Sequence, residues 1–418
     1  MTGGADPLAE VAARTGGDQT PDTLSGYLRV WWQGVKYGEL GSLPIIVGLG
    51  VIAVVFGILD DTFLTERNFT NLLLQMTYIA VIAIGVVFVL LIGEIDLSVA
   101  YVSAVGGVVM TLLLRPDNPG WPWWAAVAAA LLCTTAIGFT QALVITKAGV
   151  PSFVVTLAGL LIWQGVVLIL VTSVSTGGTV RIQDDTVIGF ANDFLSETAG
   201  WILALVVVVS FALAQLYAAR SRRASGLYAK PLVVIGLQIA GLTLVTVAAV
   251  WYANQDRGVP QGFVILGVFL VFWSFIASRT RFGRHVYAVG GSAEAARRAG
   301  INVDRVRITV FMIGGFMAGV GGIMLASRLR SVATNTGGGD LLLNVIAAAV
   351  IGGTSLFGGV GRVTAALYGA LVIVSIQNGL DLLNIRSGTK FVITGLVLLS
   401  AVLVDAYAKR RRVARGMA

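Results

Sequence analysis

Residues 279–305 read RTRFGRHVYAVGGSAEAARRAGINVDR and lie between apolar runs at 259–277 and 306–327. Arg279, Arg281, Arg284, Arg297, Arg298 and Arg305 stand against Glu294 and Asp304, six positive charges against two negative ones. No other internal polar segment between two apolar runs is so strongly basic. Short loops rich in Lys and Arg are retained on the cytoplasmic side of a bilayer. The stretch therefore reads as a cytoplasmic loop with membrane on either side of it.

The centre of this loop has the grammar of a short helix. Gly290 and Gly291 break the chain, Ser292 can cap, and Glu294 falls in the first turn, where a carboxylate suits the positive end of the helix dipole. Ala295, Ala296 and Ala299 favour helix, and Gly300 suits a stop. About two turns are expected, with small residues on one side and Arg297 and Arg298 on the other. So short a helix is marginal in water and needs something to pack on.

Composition agrees with a membrane protein. Of 418 residues, 56% are hydrophobic and 52 are Gly, while 12% are charged; soluble domains carry about 25% charged residues. The net charge of +8 sits in loops and in the C-terminal Lys409, Arg410, Arg411, Arg412 and Arg415. No basic face of a folded domain is visible, so nucleic acid is not an expected partner, whereas membrane lipid is. Cys133 is the only cysteine and His285 the only histidine, so neither a disulfide nor a metal site is expected.

Apolar runs occur at 43–59, 71–92, 97–114, 123–146, 151–172, 200–219, 231–252, 259–277, 306–327, 341–357, 363–379 and 390–405. Alternation from a cytoplasmic N-terminus places Lys147, Arg220, Arg222, Arg223, Lys230, the basic loop, Arg362 and the C-terminal cluster inside. Asp60, Asp61, Glu66, Asp184, Asp185, Asp193 and Glu197 fall outside; Arg328 and Arg330 are the exceptions. The expectation is an all-α polytopic membrane protein of 10–12 transmembrane helices, with both termini cytoplasmic. The expected divisions are a disordered and interfacial segment at 1–42, a membrane domain at 43–405 with the basic cytoplasmic loop at 279–305, and a basic cytoplasmic tail at 406–418. The first apolar run begins too late for a cleavable signal peptide.

Two stretches interrupt the runs. In LLIGEIDLSVA (90–100), Glu94 and Asp96 must lie in a turn at the membrane edge or face a watery cavity, because a charge at mid-membrane costs about 2.5–3.5 kcal/mol. In AAAVIGGTSLFGGVGR (347–362), five glycines and no charge before Arg362 describe a broken helix. Its freed backbone must be buried in protein or line a cavity. An ordinary hairpin turn also accounts for the first stretch, and close helix packing through small residues for the second. The two look related, as an internal repeat around a transport path would. Glu94, Asp96, Ser98, Thr354, Ser355 and Asn378 are the candidate path residues.

Glu294-Ala295-Ala296 followed by Gly300 resembles the EAA-x-x-x-G motif of ATP-binding-cassette (ABC) importer permeases. The wider FGRHVYAVGGSAEAARRAGINVDRV, IGEIDLSVA, IAAAVIGGTSLFGGVGR, the NG of IQNGLDLL (376–383) and the ending VLLSAVLVDAYAKRRR are similar to permease subunits of ribose- and xylose-type sugar importers. The likeness covers residues 68–172 and 259–412. Residues 220–258 look like a lengthening shared with the xylose-type branch. Two departures stand out: Glu94 occupies a position where the family has Gly, and the motif's distal Ile-x-Leu-Pro end is absent. The resemblance implies that Ser292, Glu294, Ala295, Ala296, Arg297 and Gly300 dock on a separate ATPase subunit. It also implies an extracytoplasmic sugar-binding protein, a second permease copy and a bacterial cell membrane location. ATP and Mg would be held by the ATPase, with no cofactor in this chain.

What the chain lacks points the same way. No GxxxxGK[ST] phosphate loop occurs, and no Ser-His-Asp arrangement is credible. The apolar runs hold almost no ionisable pair that an ion-coupled carrier would use. No catalytic residue is therefore assigned. A transport chain without an energy-coupling group must borrow energy, and the basic loop is the place to borrow it. The alternative is a stand-alone twelve-span secondary carrier or facilitator.

Overall fold

Every apolar run becomes a helix in the computed structural model, which describes residues 26, 43–116, 120–226 and 229–414. In chain order the helices are α1 (Leu43–Leu59), α2 (Glu66–Leu91), α3 (Val99–Leu113), α4 (Trp123–Lys147), α5 (Ser152–Thr172), α6 (Asp185–Asn192), α7 (Glu197–Ala224) and α8 (Leu232–Asn254). There follow α9 (Gln261–Arg279), α10 (Arg281–Gly291), α11 (Ala293–Arg298), α12 (Val303–Leu329), α13 (Leu341–Ile351), α14 (Ala365–Leu382) and α15 (Ser387–Ala414). Among the described residues eight helices are long and apolar enough to cross a bilayer, while Ile45–Leu59, Val99–Leu113, Leu341–Ile351 and Ser387–Ser400 are shorter apolar stretches. The two interruptions explain part of this difference. They leave α3 with 15 residues and α13 with 11, about 22 and 16 Å of helix against a hydrocarbon core of about 30 Å.

The expected interfacial segment within 1–42 lies outside the described residues, apart from Gly26, and so does 415–418. Helix α15 continues to Ala414, through most of the stretch expected as the basic tail.

The chain forms two compact units. In the smaller, Phe194–Val259, α7 and α8 are antiparallel neighbours, with Gly200 facing Val250 and Asn254. The Leu195 N–H donates to the Val259 carbonyl at 2.8 Å, and the Arg257 guanidinium lies 4.7 Å from the centre of the Phe194 ring.

In the larger unit α12 is the hub, packed on α2, α3 and α4. Its glycines decide this. A Cβ on Gly321 would overlap the Ile82 side chain of α2, one on Gly322 the Ser103 carbonyl of α3, and one on Gly315 the Thr134 carbonyl of α4. Apolar helices gain little from hiding from apolar lipid, so close approach through small residues is what holds them together. The apolar windows of α2 and α12 are accordingly 83% and 72% buried, against 22% for α5 and 17% for α9. Leu161, Ile169, Val268 and Val271 on α5 and α9 are exposed, as lipid-facing side chains would be.

At the far end of α12, strands β1 (Thr179–Arg181) and β2 (Ser331–Ala333) pair antiparallel with Val180 opposite Val332. Arg330 ends α12 in the left-handed conformation, and Arg328 lies 5.8 Å from the centre of the Tyr78 ring. The two arginines that break the charge alternation are thus a helix stop and a cation–π partner.

Candidate functional site: a junction of the basic loop with two helix breaks

The expected short helix is present as α11. The Ser292 hydroxyl accepts from the Ala295 N–H at 3.2 Å, capping its start. Its end is a Schellman turn: Ile301 N–H to Ala296 carbonyl and Gly300 N–H to Arg297 carbonyl, both 3.0 Å, with Gly300 at φ +82°. Glu294 and Arg298 form an i,i+4 ion pair on the exposed side. Ala296 is buried; Ser292, Glu294, Ala295, Arg297 and Gly300 are exposed. Ala296, with half-buried Ala293 beside it, anchors the helix on the core, and a surface of mixed charge faces outward.

The two breaks are built alike. At the end of α2, Gly93 N–H donates to Leu90 and Glu94 N–H to Val89, with Gly93 at φ +76°. At the end of α13, Gly353 N–H donates to Val350 and Thr354 N–H to Ala349, with Gly353 at φ +101°. Each helix thus stops in the same two-bond turn. Each break then bends on a side-chain acceptor: Asp96 Oδ1 accepts from the Ser98 N–H at 2.8 Å, and Ser355 Oγ from the Phe357 N–H at 3.2 Å.

The breaks touch each other and the basic loop. Gly359 N–H donates to the Leu91 carbonyl at 2.9 Å. A Cβ on Gly290, at the end of α10, would overlap that same carbonyl, and one on Gly358 would lie 2.8 Å from the Gly290 oxygen and 2.9 Å from the Gly93 nitrogen. Tyr287 of α10 donates its hydroxyl to the Gly361 carbonyl at 2.9 Å. Burial holds the Tyr287 phenol above its ordinary pKa, against the opposing pull of the Arg362 charge, so it remains a donor at neutral pH. Glu94 pairs with Arg307 of α12 at 3.0 Å. Sequence reasoning missed Arg307, which lies just beyond the family-like loop stretch, and Tyr287, which lies within it but outside the short helix the reading centred on.

The candidate path residues divide. Asp96 and Ser98 are buried and share a network. Ser98 Oγ donates to Asp96 Oδ1 at 2.6 Å, and Gln141 Nε2 of α4 donates to Ser98 Oγ at 2.9 Å. A Cβ on Gly159 of α5 would overlap Gln141 Nε2, so that glycine makes room for the amide. Thr354 and Ser355 are buried in the second break, and the Thr354 hydroxyl has no hydrogen-bond partner among the described residues. Asn378 is elsewhere: its amide exchanges hydrogen bonds of 2.7 and 2.9 Å with Asn68, near the start of α2. Helix α2 has 26 residues, about 39 Å of length, and the breaks are at its other end. Among the described residues no cluster of His, Cys, Asp and Glu could hold a metal ion.

Residues 68–402 match a family model described as branched-chain amino acid transport system / permease component. The xylose transport system permease protein of Escherichia coli (strain K12) is 34% identical over 382 residues, covering 90% of this chain and 95% of that protein. The ribose import permease protein of the same strain is 31% identical over 390 residues, 92% of this chain and 98% of that protein. The L-arabinose ABC transporter permease protein of Azospirillum brasilense is 32% identical over 365 residues, 87% of each chain. No solved structure matches.

Proposed function

We propose a function from one premise: the chain belongs to the family of transport-system permease components whose model spans residues 68–402. It is a multi-pass membrane transport subunit of an ABC sugar importer and not itself an enzyme. The sugar it moves into the cell is xylose or a related pentose or hexose, as the xylose, ribose and L-arabinose names of its relatives support. A separate ATPase subunit binds ATP and Mg and drives the cycle. A binding protein delivers the sugar from outside, and a second copy of this chain completes the path across a bacterial cell membrane.

One observation carries the energetic part of this reading. Helix α11 presents an exposed surface on one side of a loop whose other side, at Gly290 and Tyr287, rests on both helix breaks. A push on α11 from the cytoplasm has a backbone route to the two discontinuities. Glu294, Ala295 and Arg297 would meet the ATPase, while Ser292 and Gly300 hold the helix ends and Ala296 anchors it. Asp96, Ser98, Thr354 and Ser355 would respond at the breaks, and the buried Thr354 hydroxyl without a partner is a group that a changed conformation or a passing hydroxyl could satisfy.

The test is co-purification with the co-expressed ATPase. Wild type should retain the ATPase, and Glu294→Arg and Gly300→Pro should lose it with membrane insertion intact. Assembly untouched by either change, or xylose uptake into vesicles without any ATPase, would overturn the reading in favour of an independent carrier.

A further inference from the structure

We infer that the Glu94–Arg307 ion pair is a positioning pair that makes the first break follow the coupling loop, an inference that rests on the importer reading above. Among the described residues, a polar side chain of the loop or its flank reaches each break. Tyr287, before α11, holds Gly361 in the second break. Arg307, in the second turn of α12 and so just after α11, holds Glu94 in the first break through a 3.0 Å contact.

The glycine contacts can pass a push from the loop but hold nothing to it by a side chain. Gly290, Gly358 and Gly359 meet through backbone alone, and glycines have no side chains to interlock. The Gly359 N–H to Leu91 carbonyl bond joins the two breaks to each other and leaves the loop out. The Arg307 side chain adds a tie by which Glu94, and the Asp96–Ser98 network two residues beyond it, follow the loop in both directions.

The pair is placed where such a link holds. The side chains of Arg307 and Glu94 are 27% and 14% exposed, so solvent screens them less than a surface pair. Arg307 Nε is buried and has no hydrogen-bond partner among the described residues, which makes the Glu94 carboxylate the anchor of that guanidinium. The carboxylate has an equal need of Arg307, since an unpaired charge at this depth is costly.

The experiment uses the complete importer in vesicles, that is permease, ATPase and binding protein. It measures xylose taken up per ATP hydrolysed. Glu94→Gln and Arg307→Gln should each assemble and lower that ratio by about fivefold or more, as loss of an intersite coupling does. The exchange Glu94→Arg/Arg307→Glu should restore the ratio to within about twofold of wild type, as a directly interacting pair would. A purely structural role would move thermal stability and leave the ratio unchanged. A wild-type ratio in both single variants, or an exchange no better than the singles, overturns the inference. Wild-type vesicles that take up xylose without ATP overturn the importer reading and this inference together, and that control tells the two failures apart.

Discussion

The Tyr287 hydroxyl donates to the Gly361 carbonyl at 2.9 Å, so a side chain of the basic loop holds the main chain of a helix break 74 positions away. Removing it tests whether the loop governs that break. Tyr287→Phe keeps the ring packed and leaves a partly buried carbonyl unpaired, a loss of about 1 kcal/mol. Thermal unfolding of the detergent-purified chain should fall slightly. Xylose uptake should fall by more than ATPase co-purification does. Equal losses in both would reduce Tyr287 to a packing residue.

Adjacent glycines at the end of α10 make an internally controlled pair. A methyl on Gly290 would overlap the Leu91 carbonyl oxygen and come within 2.6 Å of the Gly359 nitrogen, whereas a methyl on Gly291 meets nothing within 4 Å. Backbone cannot rotate aside as a side chain can, so Gly290→Ala should cost about 1–3 kcal/mol, at the upper end of overpacking. Gly291→Ala should be near neutral. Melting temperatures of the two variants measured together check this, and similar values would mean the junction is looser than described.

Asn68 and Asn378 exchange both amide hydrogen bonds in a buried pair, and Asn68 also donates to the Phe63 carbonyl at 2.9 Å. Asn378→Ala leaves the buried Asn68 Oδ1 without its donor, while the Asn68 NH2 keeps Phe63, and should cost about 1–3 kcal/mol. The double change Asn68→Ala/Asn378→Ala should cost less than the sum of the singles. Because the pair is remote from the breaks, the xylose concentration giving half-maximal uptake should be the same in folded Asn378→Ala as in wild type. A shift of that concentration would return Asn378 to the path.

How much of this could be read from sequence depends on the range of the interaction. The α11 helix, its Ser292 cap and its Gly300 stop were legible because caps and left-handed stops are local and residue-specific. Both breaks were legible because charge, or repeated glycine, interrupts an apolar run. Their meeting place was not, because Gly290, Gly358 and Leu91 are far apart in sequence and touch through backbone. The hub role of α12 left a trace in Gly314, Gly315, Gly319, Gly321 and Gly322, a small-residue pattern that reads equally as ordinary apolar composition. Glu94 stood out as a charge near the membrane, yet its partner Arg307 is one arginine among many. The number of long apolar helices is smaller than the number of apolar runs where the breaks shorten α3 and α13, since hydropathy reports apolar length and not helix continuity.

Gly300 separates the folding of the coupling helix from its docking. It sits at φ +82° with open space around it, so a side chain there meets strain and no clash. Gly300→Ala should destabilise the turn by about 1 kcal/mol, and Gly300→Asn by less, because Asn tolerates the left-handed region. Gly300→Pro cannot reach this φ and also deletes the N–H that donates to the Arg297 carbonyl, so the end of α11 should unravel. ATPase retained on an affinity column should therefore fall in the order wild type, Asn, Ala, Pro. Amide exchange at Ile301, whose N–H closes the turn on Ala296, should quicken in the same order. Retention that ignores this order while exchange follows it would place the ATPase contact elsewhere on the loop.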